Sequence, residues 1–296
     1  GFSIEPHLDP ADVALVVRSR SPWYPPSAGP HNAQVIAIDE APLDDTMVYQ
    51  SLQATSYLEG DVAITLTLLL EAVHRIGVDE AKIAERRTRL EAAHDERQAG
   101  LAATLKKVSS NDVIHPAYLA SRLSAVLPDD ACFVDETTTH RITLQNFLPW
   151  DDAFKYVKVP TGLGQGLGVT LGVKLGMRDR MVVSVIGDGG FLYNPIPQSL
   201  GVARDEDLPI MIVIFNNGEY RAMKNNQLAY YPDGVGKQSG IFLGAEINSV
   251  DYSEMVAPFG GFGIKVEDPA ELDAALEAGM KAVEDGKTAI INVIIS

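Results

Sequence analysis

The sequence predicts an α/β protein: a doubly wound, mostly parallel sheet preceded by part of a second α/β domain. Three observations predict it. Short apolar runs closed by turn formers recur at 132–134, 181–186, 210–215 and 289–295. Such runs read as strands buried on both faces. Helical patterns lie between them, so strand and helix alternate from residue 114 to 296, the doubly wound pattern. The first third has two β-branched runs of its own, set apart by a highly charged stretch.

Residues 12–17 and 34–38 read as strands, joined by a proline-rich loop over 18–30 that holds Arg20 and Trp23. Two strands and a loop do not make a stable domain. More sheet has to come from elsewhere, either from cover after residue 61 or from another chain. A helix is expected over 61–75, with Ile64, Leu68 and Ala72 on one face. The stretch 79–107 is rich in Glu, Arg, Ala and Lys, and reads as a solvated helix or helix pair, with Gly100 as a candidate break. The expected division is therefore 1–78, a helical linker at 79–110, and a second domain over 111–296.

The second domain opens at Ile114. Pro116 suits the first turn of a helix running to Leu127, with His115 as its cap. A strand at 132–134 ends in the polar run 135–140 (Asp-Glu-Thr-Thr-Thr-His). A short strand is expected over 155–159 and a glycine-rich helix after residue 168. The strand 181–186 leads into Gly187-Asp188-Gly189-Gly190, then a helix over 195–203, then the strand 210–215, which closes at Asn216-Asn217. Residues 218–250 read as loop with at most a weak helix. Asp251 and Asp268 read as helix caps, and 289–295 as the closing strand.

Composition narrows the function. The chain has 296 residues, 22% of them charged, and a formal net charge of −16. That disfavours nucleic acid and anionic membrane, which need basic patches. A single cysteine, Cys132, excludes a disulfide framework or a thiolate cluster. No apolar run is long enough to span a bilayer and no leader is visible, so a cytoplasmic protein is expected.

The chemistry concentrates at Gly187-Asp188-Gly189-Gly190 and Asn216-Asn217. Between Gly187 and Asn217 there is room for one helix and one return strand. Both motifs therefore lie on nearby parallel strands, at the carboxyl edge where open α/β sheets bind ligands. A carboxylate and a carboxamide suit a hard divalent cation, and glycine amides beside them suit phosphate.

This pairing of Gly-Asp-Gly with a later Asn-Asn resembles the cofactor signature of thiamine diphosphate-dependent enzymes. The chain looks most like the C-terminal part of the acetolactate synthase, benzoylformate decarboxylase and pyruvate decarboxylase group. The resemblance implies thiamine diphosphate and Mg²⁺ as cofactors. It implies that Asp188 and Asn217 bind Mg²⁺ through their side chains, and Glu219 through its main-chain carbonyl. Gly189 and Gly190 would offer amides. Thr138 and Thr139 would meet the diphosphate, in a run Glu136-Thr137-Thr138-Thr139 that resembles benzoylformate decarboxylase. Leu163 fits the apolar wedge between the cofactor rings, and Thr161 would offer its carbonyl to the 4′-amino group. Tyr220, Ala222 and Met223 would face cofactor and substrate, as would Arg20 from the 18–30 loop.

The implied reaction is decarboxylation of a 2-oxo acid, with an acetolactate synthase-like carboligation as the alternative and a catalytically inactive cofactor-domain subunit as a third reading. The family's activating glutamate lies in an N-terminal domain that has no counterpart here. No residue of this chain is therefore read as a certain catalytic group, and none of the histidines is read as catalytic. The resemblance implies a partner chain carrying that domain, in a heterodimer or α₂β₂ assembly, or as the other fragment of a cleaved chain. A nicotinamide or flavin Rossmann protein is a poorer reading, because the glycines at 162–168 have the wrong spacing and a poor upstream strand.

Overall fold

The computed structural model describes residues 8, 11–19, 22–23, 29–43, 53–148, 151–159, 162–247 and 250–296. The chain divides into two compact units, residues 1–93 and 94–296. Arg20 and Thr161 lie outside the described residues.

The first unit carries a three-stranded parallel sheet: β1 (Val13–Val17), β2 (Gln34–Asp39) and β3 (Ser56–Glu59), in the order β1-β2-β3. The third strand was not expected from the sequence. Ser56–Glu59 has two polar ends and four residues, too short to show an alternating pattern. One sheet face packs Ala14, Val16, Val35 and Ala37 around Trp23. Helix α1 (Val62–Ile76) starts where Asp61 accepts the Ile64 N–H at 2.9 Å. Its apolar residues are not covered: Ile64 is 62% and Leu68 59% exposed. Three strands spaced about 4.8 Å apart give a surface roughly one helix wide, too narrow to hide an all-round apolar helix.

Helix α2 (Glu80–Val108) is one unbroken helix of 29 residues that runs through Gly100 and across the division between the units. A mid-helix glycine costs about 1 kcal/mol. The surrounding Ala, Glu, Lys, Arg and Leu are strong enough helix formers to absorb that.

The second unit has six parallel strands: β4 (Cys132–Glu136), β5 (Tyr156–Lys158), β6 (Val182–Gly187), β7 (Met211–Asn216), β8 (Phe262–Val266) and β9 (Ala289–Ile294), in the order β5-β4-β6-β7-β9-β8. All pairings are parallel. Helices cover both faces. On one face, α3 (Pro116–Val126), α4 (Arg141–Phe147) and a helix at Leu272–Glu284 bury Leu119, Leu123, Leu144 and Leu276 against Phe133, Val183, Val213 and Ile291. On the other, α5 (Gly166–Gly176), α6 (Asp188–Tyr193), α7 (Ile196–Asp205) and a 3-10 helix at Tyr252–Phe259 bury Leu167, Phe191, Leu200 and Tyr252 against Val134, Ile186, Ile212 and Ile290. Cys132 is buried and unpaired with any other cysteine.

Caps form where expected. His115 Nδ1 accepts the Ala117 N–H at 3.1 Å. Asp251 accepts from Ser253 at 3.0 Å and Asp268 from Ala270 at 2.8 Å.

The segment 218–250 departs from expectation. It contains α8 (Arg221–Tyr230) and α9 (Val235–Ser239). Neither helix buries a residue among those described, so no apolar stripe exists for the sequence to display. The short helix α4 was likewise not expected. In α6 the residues Asp188 to Phe191 are all buried, and tertiary packing overrides two glycines. Among the described residues, no helix is long and apolar enough to cross a membrane.

Candidate active site

Successive connections leave β4 in opposite directions, to β5 on one side and on to β6 at the other. That reversal opens a crevice beyond the carboxyl ends of β4 and β6. A cavity of ≈ 110 Å³ lies there. Its lining is assembled from three strand ends.

From β6 comes Asp188, 2% exposed. Burial raises its carboxyl pKa, and the N–H groups of Gly189 and Gly218 act against that rise. From β7 comes the turn 216–219. The β6–β7 register sets Gly187 opposite Phe215, so the residues that follow emerge side by side. The Gly218 N–H donates to Asp188 Oδ2 at 2.9 Å, and Asn217 Oδ1 accepts the Glu219 N–H at 3.0 Å. The Glu219 carboxylate is taken up by Arg221 Nε at 2.6 Å and Lys224 Nζ at 3.0 Å. This leaves its main-chain carbonyl as the oxygen it can offer a ligand.

From β4 comes the run after Asp135. Asp135 is fully buried and accepts the N–H and hydroxyl of Thr137, both at 2.6 Å. Its other oxygen takes Arg141 Nε at 3.2 Å and the Tyr156 hydroxyl at 2.5 Å. Thr137 is thus spent on the turn, while Thr138 and Thr139 line the cavity less buried. Glu136, 3% exposed, ties the site together from behind. Its carboxylate accepts the Gln165 N–H at 2.8 Å and Asn194 Nδ2 at 2.7 Å. Gly166 must lack a side chain, because a Cβ there would lie 2.5 Å from Glu136 Oε2.

Leu163 stands on the loop between β5 and α5, 40% exposed. Gly164 beside it has φ +94° and a Cβ there would come 2.6 Å from the Tyr193 carbonyl oxygen, so only glycine fits. Leu163, Thr138 and Glu136 also line a second cavity of ≈ 230 Å³, so the two adjoin at the leucine. Tyr220 lays its ring across Gly189 and meets Tyr193 edge to face at 6.3 Å. Ala222 and Met223 in the first turn of α8 complete the lining with Gly189 and Gly190.

The donor set has a definite chemistry. Among the described residues no group of three or more His, Cys, Asp or Glu side chains converges as a metal site. A cation here would be held by one carboxylate, a carboxamide and a carbonyl, with a ligand supplying the remaining oxygens. Mg²⁺ binds in this way, through one or two carboxylates and the phosphates of its partner. The residues present therefore fit a Mg²⁺-diphosphate group.

The family described as "Thiamine pyrophosphate enzyme, C-terminal TPP binding domain" matches residues 136–293, more than half of the 296-residue chain. The chain belongs to the thiamine pyrophosphate enzymes. Acetolactate synthase isozyme 3 large subunit of Escherichia coli is 24% identical over 89% of this chain and 44% of its own length. An acetolactate synthase large subunit of Mycobacterium tuberculosis is 31% identical over 80% of this chain and 40% of its own. The solved thiamine diphosphate-dependent 4-hydroxybenzoylformate decarboxylase of Rhodococcus jostii shares the fold with a TM-score of 0.72, at 20% identity, over 98% of this chain and 50% of that one. This thiamine pyrophosphate enzyme chain thus spans half the length, or less, of these relatives.

Eleven of the residues singled out from the sequence line one cavity: Thr138, Thr139, Leu163, Asp188, Gly189, Gly190, Asn217, Glu219, Tyr220, Ala222 and Met223. Glu136, named only as the start of the threonine run, lines it as well, as do His140, Phe215 and Arg221, which were given no role there. His140 is 8% exposed and its ring stacks on Phe215 with centroids 5.9 Å apart. Burial pushes its pKa down to about 4, and Arg221 adds to the effect. Its Nε2 is buried without a hydrogen-bond partner among the described residues. The sequence signal for these four is adjacency alone: each sits within two residues of a motif position.

Proposed function

We propose that this chain holds thiamine diphosphate through Mg²⁺ at the crevice beyond β4, β6 and β7, and serves the decarboxylation of a 2-oxo acid. The observation that carries the reading is the meeting of two strand ends, where the turn after β7 closes on Asp188 through the 2.9 Å bond from Gly218. Asp188, the Asn217 carboxamide and the Glu219 carbonyl hold the ion. Gly189 and Gly190 offer amides, and Thr138 and Thr139 offer hydroxyls, to the diphosphate. Leu163, at the junction of the two cavities, orders the organic part. Tyr220, Ala222 and Met223 face the substrate. When bound, the cofactor supplies a nucleophilic thiazolium carbon and an electron sink for the loss of CO₂. The chain's own part is to orient that group, exclude water with Leu163 and Tyr220, and concentrate cationic charge in an acidic protein.

Among the described residues, each carboxylate that lines the cavity is engaged elsewhere: Asp188 with the Gly218 N–H, Glu136 with Gln165 and Asn194, and Glu219 with Arg221 and Lys224. The proposal therefore places the activating glutamate outside these residues. A carboligase is the second reading, favoured by the acetolactate synthases that align with 80–89% of this chain.

Titration of the chain with thiamine diphosphate, with and without Mg²⁺, tests the site. Binding that needs Mg²⁺ and disappears in Asp188→Ala is expected; the absence of binding under every condition would leave only a cofactor-free subunit. A panel of 2-oxo acids followed for CO₂, aldehyde and acyloin, with the domain carrying that glutamate present, separates lyase from carboligase.

A further inference from the structure

Two carboxamides lie side by side in a sheet face where their nearest neighbours are isoleucines. Asn292 on β9 is fully buried and Asn216 at the end of β7 is 1% exposed. Their neighbours on that face are Ile212, Ile214 and Ile290. Packing asks for no amide there, and a buried amide is unfavourable unless its groups are paired.

The pairing here runs in one direction. Asp251 Oδ1 accepts Asn292 Nδ2 at 3.2 Å, along with the Ser253 N–H at 3.0 Å and hydroxyl at 2.6 Å. An ionised carboxylate only accepts, so it dictates which end of the Asn292 amide faces it. Asn292 Oδ1 is thereby presented to Asn216, whose Nδ2 donates to it at 3.1 Å. Asn216 Oδ1 is left facing the turn and accepts the Gly218 N–H at 3.2 Å. That same N–H reaches Asp188. Asn217 and Glu219 flank it on either side.

We infer that Asp251 and Asn292 are positioning residues for the cation loop. The carboxylate fixes the orientation of the Asn292 amide, and through it that of Asn216, which holds the turn that brings Asn217 and Glu219 beside Asp188. The inference rests on the reading of that turn as the Mg²⁺-diphosphate site. The chain of bonds crosses from the 3-10 helix cap at Asp251 through β9 and β7, and neither Asp251 nor Asn292 touches the cavity.

Two variants and two readouts test it. Asn292→Leu removes the relay at similar volume; Asp251→Asn keeps a hydrogen-bonding cap but removes the fixed polarity. In the metal-free full chain, hydrogen exchange at the Gly218 amide should be at least tenfold faster in Asn292→Leu, with the Ile214 and Val213 amides as slow as in wild type. In calorimetric titrations with thiamine diphosphate, the Mg²⁺ concentration for half-maximal binding should rise at least tenfold in Asn292→Leu and by less in Asp251→Asn. Unchanged Gly218 exchange, or an unchanged Mg²⁺ requirement in a variant that folds, would overturn the inference. Wild-type protein that binds no cofactor at any Mg²⁺ concentration would instead overturn the reading of the site, and the metal-loading role with it.

Discussion

The six-stranded sheet of residues 94–296 and the three-stranded sheet of the first unit are both parallel, yet they bury their strands very differently. In the larger sheet, every residue of β4 and β7 is buried, and helices cover both faces. In the smaller one, β1 alternates, with Val13, Leu15 and Val17 38–49% exposed. Its helix α1 leaves Ile64, Leu66, Leu68, Leu70 and Ile76 open to solvent. The comparison teaches where the chemistry can sit. A strand end holds a carboxylate such as Asp188 in place only if the strand behind it is fixed, and the larger sheet alone fixes its strands on both sides.

Substitutions of one kind in both units sharpen that contrast. The largest effect is expected from Leu200→Ala on α7. Leu200 is 1% exposed, so its truncation should cost about 2–5 kcal/mol through lost burial and a residual cavity. Chemical denaturation followed by circular dichroism measures it. Because the units differ in cover, two transitions are expected, and Leu200→Ala should move the one reported by the larger unit.

A pH effect of intermediate size comes from His140. Its pKa falls from 6.5 to about 4 on folding. A group whose folded pKa is depressed takes up protons preferentially in the unfolded state, so stability is present above pH 6.5 and lost as the pH falls towards 4. From pH 7 to pH 5 the loss should be about 2 kcal/mol. Denaturation curves of wild type and His140→Gln at both pH values isolate this contribution, since His115, whose pKa burial also lowers, remains in both. Equal pH dependence of the two proteins would show that His140 is not buried neutral.

The smallest effect is expected on α1. Leu68 is 59% exposed, so Leu68→Gln should change stability by under about 0.5 kcal/mol. A loss comparable to that of Leu200→Ala would mean that the α1 face is covered, and would break the contrast.

The same contrast explains what the sequence revealed. Strands such as 210–215 were legible because burial on both faces makes an unbroken apolar run, and the Asp188 and Asn217 turns because each closes such a run. Leu163 and the two threonines were legible only through a family resemblance. Ser56–Glu59 was not legible, because a four-residue strand with polar ends has no period. Helix α8 was not legible because it buries nothing. The contacts of Glu136 and His140 and the Asn216–Asn292–Asp251 relay were invisible for another reason. Their partners lie 29 to 76 residues away in sequence, or, for the His140 stack on Phe215, on a different strand end. No local pattern encodes such pairings.

The account turns on the crevice beyond β6 and β7 as a Mg²⁺-dependent thiamine diphosphate site. Calorimetric titration of the purified chain with thiamine diphosphate, in excess Mg²⁺ and in a chelator, tests that most directly. Saturable binding is expected in Mg²⁺, none in chelator, and at least a hundredfold weaker binding (about 2.7 kcal/mol) in Asp188→Ala at unchanged fold. Equal binding by wild type and Asp188→Ala, or binding indifferent to Mg²⁺, would contradict it.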